Sequence, residues 1–182
     1  MTTSATRPAE YEFIRELRQT RTYTDQPVPE NILQDLLEIA RWSGSASNTQ
    51  PWHFVVVRNP ETIATISEFG AYSKFLKGAP LVVVIVLNGV HTRSEAYDEG
   101  RVSERLMLAA KAYGLGSGTG WWGTEEGAAK VKSALGIPSE KDVISGVAIG
   151  YPAPVDRLPG AAPGRKPTSE IVHYETFGNH EA

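Results

Sequence analysis

The run Ala79-Pro80-Leu81-Val82-Val83-Val84-Ile85-Val86-Leu87 limits the fold more than any other stretch of the chain. A strand with one solvated face alternates apolar and polar residues. Pro80 to Leu87 has no polar position, so it reads as a strand buried on both faces, in the middle of a sheet. The run is far too short to span a bilayer, and Met1 to Tyr11 has no long apolar core. The expectation is a cytoplasmic protein with no membrane segment.

Periodicity places further elements around this strand. Helices are expected over Tyr11 to Leu17, Pro29 to Trp42, Pro60 to Phe69, Ser94 to Tyr113 and Glu125 to Leu135, with strands over His53 to Arg58 and Val143 to Gly150. In the second helix Ile32, Leu33, Leu36, Leu37, Ile39 and Ala40 are spaced to cover a core face. In the long fourth helix Val102, Leu106, Ala109, Ala110 and Tyr113 do the same, before Gly114 stops it. At 182 residues with no Pro/Gly/Ser-rich divider, the chain is expected to form one domain over 1–182, with 1–10 as a flexible N-terminus. The Pro- and Gly-rich tail from Tyr151 regains order signals at Ile171 to Phe177. Too short to fold alone, it reads as a segment that reaches across to a partner subunit.

Several chemistries are excluded. A net charge of −3 offers no broad basic footprint for nucleic acid, so any anion must be held by a local cluster of arginines. With no cysteine, disulfides, thiolate catalysis and iron–sulfur ligation are absent, which leaves organic cofactors for redox work. His53, His91, His173 and His180 show no metal-ligand spacing, no metal is assigned, and no nucleophile motif accompanies them.

Two stretches stand out as ligand candidates. Ser45-Ala46-Ser47-Asn48-Thr49-Gln50-Pro51-Trp52 sets hydroxyls and amides, each both donor and acceptor, directly before a strand. On these residues alone, an ordinary connection whose side chains cap local backbone explains the loop equally well. Gly114-Leu115-Gly116-Ser117-Gly118-Thr119-Gly120-Trp121-Trp122-Gly123 contains a formal Gly-x-Gly-x-x-Gly. The dinucleotide fingerprint needs a strand before it, however, and here a long helix precedes. These glycines either admit a flat ligand close to the backbone or ease packing beside Trp121 and Trp122.

Arg18, Arg21 and Tyr23, followed by Ser45, Asn48, Gln50, Pro51 and Trp52, resemble the N-terminal signature of the nitroreductase family of FMN-dependent oxidoreductases. Gly114-Leu115-Gly116 after the long helix and Arg165-Lys166-Pro167 near the end extend the likeness, which runs from about Arg15 to Gly178. The resemblance implies an α+β fold with a central mixed, largely antiparallel sheet flanked by helices, and a homodimer with the flavin site at the interface. It implies FMN as cofactor, NAD(P)H as donor, and a nitroaromatic, quinone or related small aromatic electrophile as acceptor in a ping-pong reaction. The chemistry is the flavin's, so no side chain is assigned as catalytic.

By the same resemblance Arg18 and Arg165, joined by Lys166, hold the FMN phosphate, whose oxygens match guanidinium forks. Gln19 and Arg21 lie toward the ribityl chain and the pyrimidine edge. The loop residues Ser45, Ala46, Ser47, Asn48 and Gln50 meet the flavin, and the backbone of Gly118, Thr119 and Gly120 passes beside it. Leu17, Gln19 and Arg105 depart from the usual family residues. Alternatives are a specialised member of the family, for dehalogenation, enone reduction or flavin breakdown, and a flavin-binding or storage protein without turnover.

Overall fold

Four strands and six α-helices are set out along the chain in a computed structural model, which describes residues 7–154 and 164–181. In order they are α1 (Ala9–Arg15), α2 (Glu30–Arg41), β1 (Trp52–Val57), α3 (Pro60–Ser67), β2 (Leu81–Leu87), α4 (Thr92–Ala112), β3 (Gly116–Trp121), α5 (Glu125–Leu135), β4 (Asp142–Gly150) and α6 (Thr168–Ile171). The sheet order is β1-β2-β4-β3, and every pairing is antiparallel. Among the described residues this is the largely antiparallel sheet flanked by helices that was expected. Residues 1–6 and 155–163 lie outside the described residues, and so do most of the expected flexible N-terminus and part of the tail; Ala9 and Glu10 are helical.

All seven residues of β2 are buried, and the strand sits between β1 and β4 as its composition requires. Its side chains alternate between two cores. Leu81, Val83, Ile85 and Leu87 join Leu33, Leu36 and Ala40 of α2 and Val102, Leu106 and Ala110 of α4. Val82, Val84 and Val86 join Ile63 and Ile66 of α3 and Val131 of α5. Local chemistry fixes the helix ends. Asn59 caps α3 by accepting the Thr62 N–H at 2.8 Å, Thr124 caps α5, and Gly136 in the left-handed region stops it. Ile39 and Tyr113, expected in the core, stay 45% and 44% exposed on the outer flank of α2 and α4. There Tyr113 donates to the Asp35 carboxylate.

One irregularity shapes the site. Val84 pairs with Gly146 and Val86 with Val143, so Ile85 alone on β2 faces both Ile144 and Ser145 on β4. This is a β-bulge, and the extra residue switches the faces of the strand. Val147 and Ile149 point into the α2/α4 core, whereas Val143, four residues before Val147, belongs to the α3/α5 core. The extra residue lets Ile144 and Ser145 both reach the cleft described below.

Ile85→Ala is expected to cost about 2–5 kcal/mol, since no side chain can collapse into a gap walled by two strands and two helices. Urea unfolding at unchanged m-value checks this.

Candidate functional site

The polypeptide after α1 runs along the free edge of β3. Thr20 N–H donates to Ser117 O at 2.7 Å, and the Thr119 N–H donates to Gln19 Oε1 at 3.1 Å. Farther on, Thr24 N–H donates to Tyr151 O and Ala153 N–H to Thr22 O. This close approach explains the glycines. A Cβ on Gly116 would lie 2.5 Å from Thr20 Oγ1, one on Gly118 would collide with Thr20 O, and one on Gly120 would lie 2.8 Å from Leu76 Cδ1. Gly118 and Gly120 therefore lie against Thr20 and Leu76, and of the three expected backbone positions it is Thr119 that faces the opening. Thr119 also sends its hydroxyl to Met107 Sδ at 3.6 Å.

Between this edge and α4 lies a cleft of about 680 Å³. Arg18, Gln19, Thr119 and Arg165 line it, so four of the expected site residues come together although they are far apart in sequence. Arg18 is steadied by Nη1 bonds to Arg15 O and Leu17 O at 2.8 and 2.7 Å. Its Nε and Nη2 have no internal acceptor among the described residues. Two guanidiniums in one wall, with a side-chain amide beside them, form a donor set that fits a phosphate monoester.

The remaining candidates stand elsewhere. Arg21 is exposed, with its guanidinium 5.8 Å from the Phe75 ring centre, and Lys166 is exposed outside the cleft wall. The loop from Ser45 to Gln50 borders a separate hollow of about 480 Å³, lined by Ala46, Ser47, Thr49, Asn88 and Glu95. Ser47, Asn48 and Gln50 have φ of 50°, 55° and 47°, in the left-handed region that side chains rarely adopt. Two anchors hold this conformation. Ser45 Oγ accepts the Gln50 N–H at 2.9 Å, and buried Asp98 of α4 accepts the Ala46 N–H at 2.9 Å while pairing with Arg101 at 3.2 Å.

Three acids of α4 are buried, each handled differently. Glu95 accepts the N–H groups of Gly89, Val90 and His91 at 2.7–3.1 Å. Burial would raise its carboxyl, but these bonds outweigh it and hold the group below its ordinary value. Asp98 is the loop anchor. Glu99 lines the arginine cleft and takes a hydrogen bond from Ser145 Oγ. Burial pushes its carboxyl up, the Ser145 bond pulls the other way and the charge of Asp142 adds to the rise. Glu99, Ser103, Met107, Trp121, Ile144 and Ser145 also line the wall and were absent from the expected site. A trace of Glu99 was legible: with Ser103, Leu106 and Ala110 it falls on the buried stripe of α4, where an acid is out of place.

A sequence model of the nitroreductase family matches residues 14–73 and 68–151. The chain belongs to the nitroreductase family. A NADH dehydrogenase of Thermus thermophilus is 32% identical over 183 residues, spanning 78% of this chain and 88% of the relative. The NADPH-flavin oxidoreductase of Vibrio harveyi is 25% identical over 175 residues, spanning 88% of this chain and 71% of its own length. Among solved structures, an FMN-dependent nitroreductase from Clostridium difficile R20291 superposes with a TM-score of 0.80 at 25% identity, covering 91% of this chain and 98% of that one. In this family frame the observed sheet and helices are the nitroreductase fold.

Asp98→Ala would leave the Ala46 N–H and Arg101 without their shared acceptor and is expected to cost about 1–3 kcal/mol. Faster hydrogen exchange at Ala46 than at Val147 would locate the loss in the loop.

Proposed function

We propose that this nitroreductase-family protein is an FMN-dependent oxidoreductase that takes hydride from NAD(P)H and delivers it to a nitroaromatic, quinone or related electrophile. The observation that carries the reading is the meeting of Arg18 and Arg165, from opposite ends of the chain, in one cleft with Gln19 and Thr119. A bound flavin would supply the redox chemistry, hydride transfer from reduced nicotinamide to the acceptor, in a ping-pong sequence. The protein's part is to hold and orient. Arg18 and Arg165 would hold the phosphate and Gln19 the ribityl chain, and the Thr119 N–H, which donates to Gln19, is the backbone donor on the cleft side.

The reading includes a homodimer. Within one chain the Ser45–Gln50 loop and the arginine cleft border different hollows. A second copy that brought its loop to the cleft would unite the two halves. Ile171, Val172, Tyr174 and Phe177 are exposed on the tail, Phe177 at 93%, and offer apolar area for such a partner. Arg21, over Phe75 in the single chain, would turn toward the pyrimidine edge of the flavin.

The purified protein should be yellow and release FMN, not FAD, on heating. Arg165→Glu is expected to weaken FMN by at least about tenfold, the value of one charge-assisted hydrogen bond. Unchanged affinity would remove the C-terminal arginine from the site. Double-reciprocal plots with NAD(P)H and a quinone or nitroaromatic should give parallel lines. Intersecting lines would replace the shared face with a ternary complex.

A further inference from the structure

Glu99 is the one acid of the arginine cleft that is both buried and without a cation. Its side chain is 6% exposed, and among the described residues no lysine or arginine pairs with it. Asp98, one residue earlier, has Arg101; Glu95 has three backbone donors. Glu99 has the hydroxyl of Ser145 on Oε1, delivered by the bulge of β4. The charged and titratable groups around it are Asp142 on β4, Asp98 and Glu104 on its own helix, and Arg18 and Arg165 across the cleft. β3 contributes Thr119 and Trp121, neither of which titrates in the working range.

An ionised Glu99 would set a negative charge on the wall of a cleft whose arginines are suited to an anion. Repulsion between two such charges beside a buried carboxyl is worth more than between groups in bulk water. A neutral carboxyl there is harmless, and its free oxygen can donate a hydrogen bond. We propose that Glu99 is a proton-linked gate on the cofactor cleft: FMN binds to the form in which Glu99 carries its proton, and binding draws a proton from solvent wherever the free protein has lost it. The proposal rests on the flavin reading above. The proton comes from water or buffer and stays on Glu99, and no bond of the cofactor changes.

The direction of the pH effect follows from the raised carboxyl. FMN affinity should be full below the pKa of Glu99 in the free protein and fall as pH rises through it. The Ser145 hydroxyl favours the ionised form, so its removal should move the fall to higher pH.

The test is FMN binding to the apo-protein, followed by quenching of flavin fluorescence from pH 4.5 to 9, with calorimetry in buffers of different ionisation enthalpy. Wild type should weaken by about tenfold across the fall and take up protons on binding. Glu99→Gln, which keeps the acceptor for Ser145, should lose this fall and take up fewer protons than wild type, keeping only the pH dependence of the FMN phosphate itself, whose second ionisation lies at about 6. Ser145→Ala should shift the wild-type profile to higher pH. Matching profiles for wild type and Glu99→Gln, or equal proton uptake in both, overturn the gate while leaving the flavin reading intact. A wild type that binds no FMN at any pH overturns both.

Discussion

Everything in this molecule leans on β2. A strand buried on both faces and along both edges has no solvent-facing position, so each of its seven side chains must be apolar and each backbone group must find a partner in β1 or β4. The two cores are built by alternate residues of this single strand, and the four packing helices take their places from it. The sheet can then afford an irregular neighbour. Because β2 keeps its pairing with β1 through Ile85, the extra residue on β4 is absorbed locally, beside the cleft.

The site is placed by edges more than by helices. β3 is the outer strand, and the segment carrying Arg18, Gln19 and Thr20 lies along its free side. Such an edge exposes unpaired N–H and C=O groups that would otherwise attract another chain. Here Thr20 and Gln19 occupy two of them, which fixes Arg18 at the mouth of the cleft. The glycine track on β3 is what allows that approach, since side chains at Gly116 and Gly118 would push Thr20 away.

The legible part of the fold was the part governed by periodicity. The continuous apolar run located β2, and helical spacing located α2 and α4 within two residues at each end. Motif order singled out Arg18, Gln19, Thr119 and Arg165, which line one cleft. Their meeting place was not legible, because nothing local in the sequence brings residue 165 to residue 18. Glu99 was harder still. Its partner Ser145 sits where strict alternation along β4 puts Val143, Ser145 and Val147 on one face, and the bulge that breaks that alternation has no residue signature in Asp142-Val143-Ile144-Ser145-Gly146. Ile39 and Tyr113 misled for a related reason: three- and four-residue spacing marks a stripe wider than the part α2 and α4 bury.

The bulge also gives β4 two phases. Before the bulge the odd-numbered Val143 faces the α3/α5 core, and beyond it the odd-numbered Val147 and Ile149 face the α2/α4 core while Ala148 takes the other, so Val143 and Val147 share a parity yet face opposite ways. Losing a single residue at this point would restore a regular ladder and turn one half of the strand inside out, carrying Val143 or Val147 and Ile149 to the wrong layer. The length of β4 is thus under the same pressure as its composition. A substitution at Ser145 costs the cleft one hydroxyl, whereas a deletion there costs the sheet its frame.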